Sequence, residues 1–186
     1  MKKLIVIILL LISLGSFSQS WNGVPISGSV PQLKANLANK GFTFIKKTEN
    51  CYVFKGKVSG EINELYVFVT PKTQLVTKFS VYKPIKYSWY SLESEYDKIK
   101  DILTNKYGQP QSFEYFLDPY YLGDGYEYQA VGLDKCRYAS FWTETAENTN
   151  ISLSICEFYQ VRILYENVKL LDKYNNEVSE KNSSIY

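Results

Sequence analysis

The stretch Ser91-Leu92-Glu93-Ser94-Glu95-Tyr96-Asp97-Lys98-Ile99-Lys100-Asp101-Ile102-Leu103-Thr104-Asn105-Lys106-Tyr107-Gly108-Gln109-Pro110 sets the architecture. Leu92, Tyr96, Ile99, Leu103 and Tyr107 recur at steps of four, three, four and four, which is one apolar stripe at helical period. Glu93 and Glu95 fall in the expected first turn and Lys106 in the last, as the helix dipole prefers, and Gly108 followed by Pro110 stops the helix. Tyr96 and Tyr107 on such a stripe read as core.

On both sides of this helix the apolar period shortens towards two. Upstream, Thr43 to Thr48, Tyr52 to Val58, Leu65 to Thr70 and Leu75 to Lys83 read as strands, punctuated by Asn50, Ser59-Gly60 and Pro71-Lys72-Thr73. Downstream, Ser112 to Leu117, Arg137 to Glu144, Ile151 to Phe158 and Gln160 to Glu166 do the same, with a turn at Glu147 to Asn150. Ile151/Leu153/Ile155 and Val161/Ile163/Tyr165 alternate with mostly polar residues, which predicts a sheet buried on one face. A shorter helix opens at Ser29-Val30-Pro31-Gln32, a capping-box pattern with Pro in the first turn. It carries Val30, Leu33 and Leu37 on one side and stops at Asn39-Lys40-Gly41.

The order of one helix and then strands thus occurs twice, over about 21–86 and 87–168. Lys40-Gly41 answers Tyr107-Gly108, Cys51-Tyr52-Val53-Phe54 answers Cys136-Arg137-Tyr138-Ala139, and an offset near 84 maps Thr77/Phe79/Val81 onto Val161/Ile163/Tyr165. The second unit carries about eighteen extra residues between its Gly and its Cys, since Gly108 to Cys136 spans twenty-eight positions and Gly41 to Cys51 spans ten. The expectation is an α+β protein of two tandem helix-plus-antiparallel-strand units. They would share one curved antiparallel sheet, with helices packed on one face.

The N-terminus reads as an export signal. Lys2-Lys3 precedes an almost unbroken apolar run from Leu4 to Leu14, too short for the roughly 20 residues a transmembrane helix needs. Ser16 and Ser18 then suit a peptidase site before Gln19, so residues 1–18 are expected to be removed, leaving a single domain over 19–168 and a polar, frayed tail over 169–186. No stable membrane insertion is expected after cleavage, and the location is periplasmic or secreted. Loss of Lys2 and Lys3 leaves nineteen basic against nineteen acidic residues, a balance that does not suit a phosphate backbone, so nucleic acid is excluded as a partner.

The chain has no histidine, which removes Ser-His-Asp and Cys-His nucleophiles, histidine bases and histidine-ligated zinc. No CxxC spacing is present among Cys51, Cys136 and Cys156, so neither metal nor cofactor is expected. In an oxidising compartment three cysteines suggest one bridge and one buried thiol. If the units repeat, Cys51 and Cys136 hold equivalent places, and a bond between those two is not expected.

The chain at this point resembles small exported proteins of Gram-negative bacteria whose fold is similar to that of the β-lactamase inhibitor protein. The resemblance rests on Gly23-Val24-Pro25-Ile26-Ser27-Gly28, on Lys40-Gly41-Phe42, and on Tyr96-x-x-Ile99-x-x-x-Leu103-x-x-Lys106-Tyr107-Gly108-x-Pro110, and it covers roughly Trp21 to Asn167. It implies the tandem architecture and protein binding on a concave sheet, with no catalytic residues carried over.

The extra segment Asp118-Pro119-Tyr120-Tyr121-Leu122-Gly123-Asp124-Gly125-Tyr126-Glu127-Tyr128 is the most unusual composition in the chain. Tyr supplies contact area at low entropy cost together with a hydroxyl. Tyr120, Tyr121, Asp124, Tyr126 and Tyr128 are therefore the candidate contact residues, set against a reading in which the rings merely cover the sheet. Asp118 and Asp124 stand six apart, off the alternating spacing of a calcium loop, and paired carboxylates alone do not make a glycosidase. Trp89 and Trp142 read as packing, and Trp21 as exposed beside the new N-terminus. The function expected is a non-catalytic binding module for a protein or peptide of the cell envelope, using the sheet face and this loop. A glycan or small-molecule binder is the alternative, and a small hydrolase ranks last.

Overall fold

In the computed structural model, residues 20–143, 145 and 148–183 are described, so the expected signal segment 1–18 and Glu144, Ala146 and Glu147 lie outside the described residues. The chain starts with a short ribbon, β1 (Ser20–Trp21) and β2 (Val24–Pro25), and then α1 (Val30–Asn39). Four strands follow, β3 (Thr43–Lys47), β4 (Cys51–Val58), β5 (Glu61–Val69) and β6 (Val76–Tyr82). After α2 (Trp89–Tyr107) come β7 (Gln111–Phe116), α3 (Glu127–Gly132), β8 (Cys136–Trp142), β9 (Thr149–Cys156), β10 (Gln160–Asn167) and α4 (Val168–Ser183). The fold is α+β around one eight-stranded antiparallel sheet of order β3-β4-β5-β6-β10-β9-β8-β7, with β6 and β10 joined at its centre.

The register shows how strand alternation builds the core. Phe44, Phe54, Leu65, Val81, Ile163, Leu153, Ser140 and Ser112 are successive cross-strand partners and form one row across all eight strands. Most of this face is buried in a single cluster with Val30, Leu33 and Leu37 of α1 and with Leu92, Tyr96, Ile99 and Leu103 of α2. The side chains between these positions in each strand point to the other face, which stays largely half-exposed. Leu92 has no accessible surface, and truncating such a residue to Ala costs about 2–5 kcal/mol.

Both long helices start as their caps dictate. The Ser29 N–H donates to Gln32 Oε1 at 3.2 Å, and Ser88 Oγ accepts from the Ser91 N–H at 3.2 Å. The second cap moves the start of α2 to Trp89, so Glu93 and Glu95 lie beyond the first turn in which the sequence placed them. Tyr96 is fully buried, and its hydroxyl joins Ser140 Oγ at 2.7 Å and Glu114 Oε1 at 3.1 Å, with Lys100 bonded to the same Glu114 oxygen at 2.5 Å. A buried phenol of this size needs such partners. Gly56 is fixed by close approach: a Cβ there would lie 2.6 Å from the Phe42 ring.

Two expectations about packing near the chain ends are corrected. The tail is helical as far as Ser183, and Leu171, Tyr174, Glu177, Val178 and Lys181 share the less exposed side of α4, at steps of three and four. Glu177 is buried and accepts from the Lys72 N–H (2.7 Å), the Thr73 N–H (3.0 Å) and the Thr73 hydroxyl (2.6 Å), while Lys181 pairs with Glu49 and Lys72 with Glu180. Trp21 is also buried, edge-on to Phe42 and Phe79, because the β1–β2 ribbon folds it into the core. Trp142 is buried with its N–H on Gly108 O at 2.8 Å, and Trp89 packs on Phe116 and Tyr138.

All three cysteines are free, so the expected bridge is absent, as is a Cys51–Cys136 bond. β4 and β8 stand five strand spacings apart, about 24 Å, whereas a bridge needs Cα atoms within about 7 Å. Cys136 shares the buried face with Tyr138 and Ser140. Cys156 follows Ser152 and Ser154 on the other, so these two thiols point apart. No helix among the described residues is long and apolar enough to cross a membrane.

Candidate functional site: a cavity on the half-exposed sheet face

The candidate loop becomes ordered structure. It forms most of the connection between β7 and β8, while β3 and β4 are joined by only Thr48 to Asn50. Asp124 organises the turn, accepting from the Tyr121 N–H at 3.0 Å and the Tyr126 N–H at 2.7 Å, and Glu127 Oε1 accepts from the Gly123 N–H at 2.7 Å. Asp118-Pro119 is a cis peptide. Tyr128, on α3, stacks on Tyr159 with centroids 4.3 Å apart and donates to Lys86 O at 3.0 Å. Gly132 leaves room for that Tyr159, whose hydroxyl would lie 2.0 Å from a Cβ. Tyr120 is half-buried within hydrogen-bond reach of Gln129, while Tyr121 and Tyr126 are 66% and 61% exposed. Of the five candidates, then, Tyr121 and Tyr126 offer free ring surface, Asp124 holds the turn, and Tyr128 ties α3 to the β9–β10 hairpin.

A second candidate site lies on the half-exposed sheet face, a surface the sequence reading named without any of its residues. Lys55, Glu64, Tyr82, Arg162, Ser154, Ala139 and Phe113 are successive register partners from β4 to β7. Ser154 and Ala139 are short, so this row dips between the long side chains of Arg162 and Phe113. The dip opens into a cavity of about 530 Å³, walled by Tyr82, Phe113, Tyr115, Phe141 and Phe158 and reached by Cys156. Two smaller depressions adjoin it, one through Tyr82 and one through Phe141. The volume lies within the usual range for ligand sites, about 300–1,000 Å³.

The charges around the cavity are unequal in their pairing. Lys55 pairs with Glu64 at 3.6 Å, Lys78 with Glu166 at 2.7 Å, and Arg137 grips Asp134 through both terminal nitrogens at 2.7 and 3.3 Å. Arg162 has no ion pair or side-chain hydrogen bond among the described residues, and its Nε is shut off from solvent without an acceptor. Ser154 Oγ, on the adjacent strand, is likewise buried without a partner. Alternation alone marks Arg162 as a surface residue of β10. Its isolation follows from neighbours on two other strands, Tyr82 and Ser154, and no local pattern in the sequence carries that information.

At the end of the sheet nearest this row, Lys83 bridges Glu61 (2.6 Å) and Glu95 (3.3 Å), and Lys86 bridges the same two carboxylates at 3.3 Å each. The hydrogen bond from Lys83 holds the Glu61 carboxyl below the ordinary glutamate value against a smaller opposing effect of burial. Burial works against the Lys86 charge, but Glu95 and Glu61 outweigh it and raise its pKa. The buried thiols of Cys51 and Cys136 are pushed up by desolvation, the latter to about 12. Comparison with protein-family models, curated proteins and solved structures finds no match to this chain.

Proposed function

We propose that this protein is an exported, non-catalytic binding module that takes a protein or peptide segment on the half-exposed face of its sheet. The observation that carries the reading is the aromatic-walled cavity on that face, lined also by an arginine that has no partner among the described residues. Large exposed rings concentrated at one end of a sheet are a feature of interaction surfaces. Tyr121 and Tyr126 extend the same aromatic character into the β7–β8 connection.

The order of elements supports a duplicated unit of the kind the resemblance implies, one helix and four strands used twice. Under the offset of 84, Ser80 corresponds to Leu164. These two are register partners at the middle of the β6–β10 ladder, where a twofold relation between the halves would place them.

The test is made on native protein from the cell envelope. Its N-terminus should lie at or within a few residues of Gln19 by mass spectrometry. A photo-crosslinking residue placed at Phe141, on the open face, should give defined adducts, and the same residue at Ile102, exposed on α2, should not. An intact Met1 would contradict export, and equal adducts from both positions would contradict the assignment of the face.

A further inference from the structure

We infer that the Arg162 cavity receives a carboxylate borne by a peptide segment with a large apolar or aromatic side chain beside it. This rests on the reading of the open face as a binding surface and names the chemistry that face selects.

Arg162 projects between Tyr82 and Ser154, and its Nε is buried without an acceptor. A guanidinium held partly out of water and left unpaired is destabilising. A carboxylate entering over Ala139 could accept from the two terminal nitrogens of Arg162 together, in the fork geometry that matches guanidinium to carboxylate. Ser154 Oγ, buried and unpartnered, stands on the adjacent strand. The other arginine of the cavity does not compete, because Asp134 already occupies it. One free guanidinium answers one negative charge, and the exposed Glu157 carboxylate at the rim disfavours a phosphate dianion. Phe113, Phe141 and Phe158 then offer rings to the neighbouring side chain of the ligand.

The experiment compares three probe peptides: Gly-Ser-Phe-Ser-Phe with a free C-terminal carboxylate, the same peptide as its C-terminal amide, and amidated Ser-Phe-Glu-Phe-Ser. Binding is read by calorimetry and by the rate at which iodoacetamide alkylates Cys156, the more exposed of the two thiols lining the cavity. The free acid, the internal glutamate peptide or both should bind at least about tenfold tighter than the neutral amide and slow the alkylation. Whichever does so identifies the source of the carboxylate. Arg162→Met should melt at or above the wild-type temperature, since it removes an unpaired charge, and should bind acid and amide within about twofold of each other.

Equal binding of acid and amide to the wild-type protein would overturn the carboxylate assignment while leaving the open-face reading intact. Failure of all three probes to bind at millimolar concentration, with unchanged alkylation, would overturn both. A large drop in melting temperature for R162M would show that Arg162 is satisfied internally and would also refute the inference.

Discussion

Cys156 and Cys136 lie at neighbouring strand ends yet face opposite sides of the sheet, and this difference fixes their chemistry. Cys136 is buried, with its thiol raised to about 12, and Cys51 is buried and raised as well, so neither offers thiolate at neutral pH. Cys156 is half-exposed in the cavity and donates to Gln160 O at 3.1 Å. Thiol titration of the denatured, non-reduced protein should therefore give three thiols per chain, and native alkylation should modify Cys156 first. Recovery of a single thiol would mean that a bridge exists. The same scale shows what a sequence can reveal. Helical period alone marks Tyr96 as core, but its partners Ser140 and Glu114 lie on two other elements and are reached only through the β7–β8 register. Arg162 is harder still, because its defining property is an absence created by neighbours in space.

Long elements with a strong period were legible, since α2 and the eight sheet strands follow from apolar spacing and turn residues. α4 was not, because its one buried position among the described residues is a glutamate. Glu177 becomes a core-facing residue only when the turn at Lys72 and Thr73 offers it three donors. Tyr128 and Glu127, assigned to a loop by composition, form α3 because Tyr159 stacks on one side and Gly132 yields space on the other. The cycle of Lys83, Lys86, Glu61 and Glu95 binds β5, the β6–α2 connection and α2 together. Glu61 has a folded pKa below its unfolded value, so the stability it contributes is complete above the unfolded value, about 4.5. That stability is lost as pH falls through the folded pKa. Lys86 is raised, so its contribution is present below about 10.5 and is lost as pH rises through the folded value. Melting temperature should accordingly decline in acid below about pH 4.5, and Glu61→Gln should flatten that decline while lowering the melting temperature at pH 7. An unchanged acid profile in E61Q would remove the cycle from the account of stability.

Taken whole, the molecule shares one buried cluster between α1, α2 and the sheet, and it carries aromatic rings, an arginine without a partner among the described residues and three adjoining depressions on the half-exposed sheet face. Composition could exclude histidine chemistry. It could not locate the cavity, which needs Tyr82 from the first half of the chain and Phe113, Ala139, Ser154 and Arg162 from the second. The β6–β10 pairing that brings the halves together is a contact between residues some eighty positions apart. The most direct measurement of the binding claim is backbone amide chemical-shift mapping of residues 19–186 during titration with the free-acid peptide Gly-Ser-Phe-Ser-Phe. Shifts should concentrate at Tyr82, Ala139, Ser154 and Arg162, with weaker changes at Tyr121 and Tyr126. Shifts confined to the outer surfaces of α1 and α2, with the Tyr82-to-Phe113 row unmoved, would contradict the assignment of this face as the binding surface.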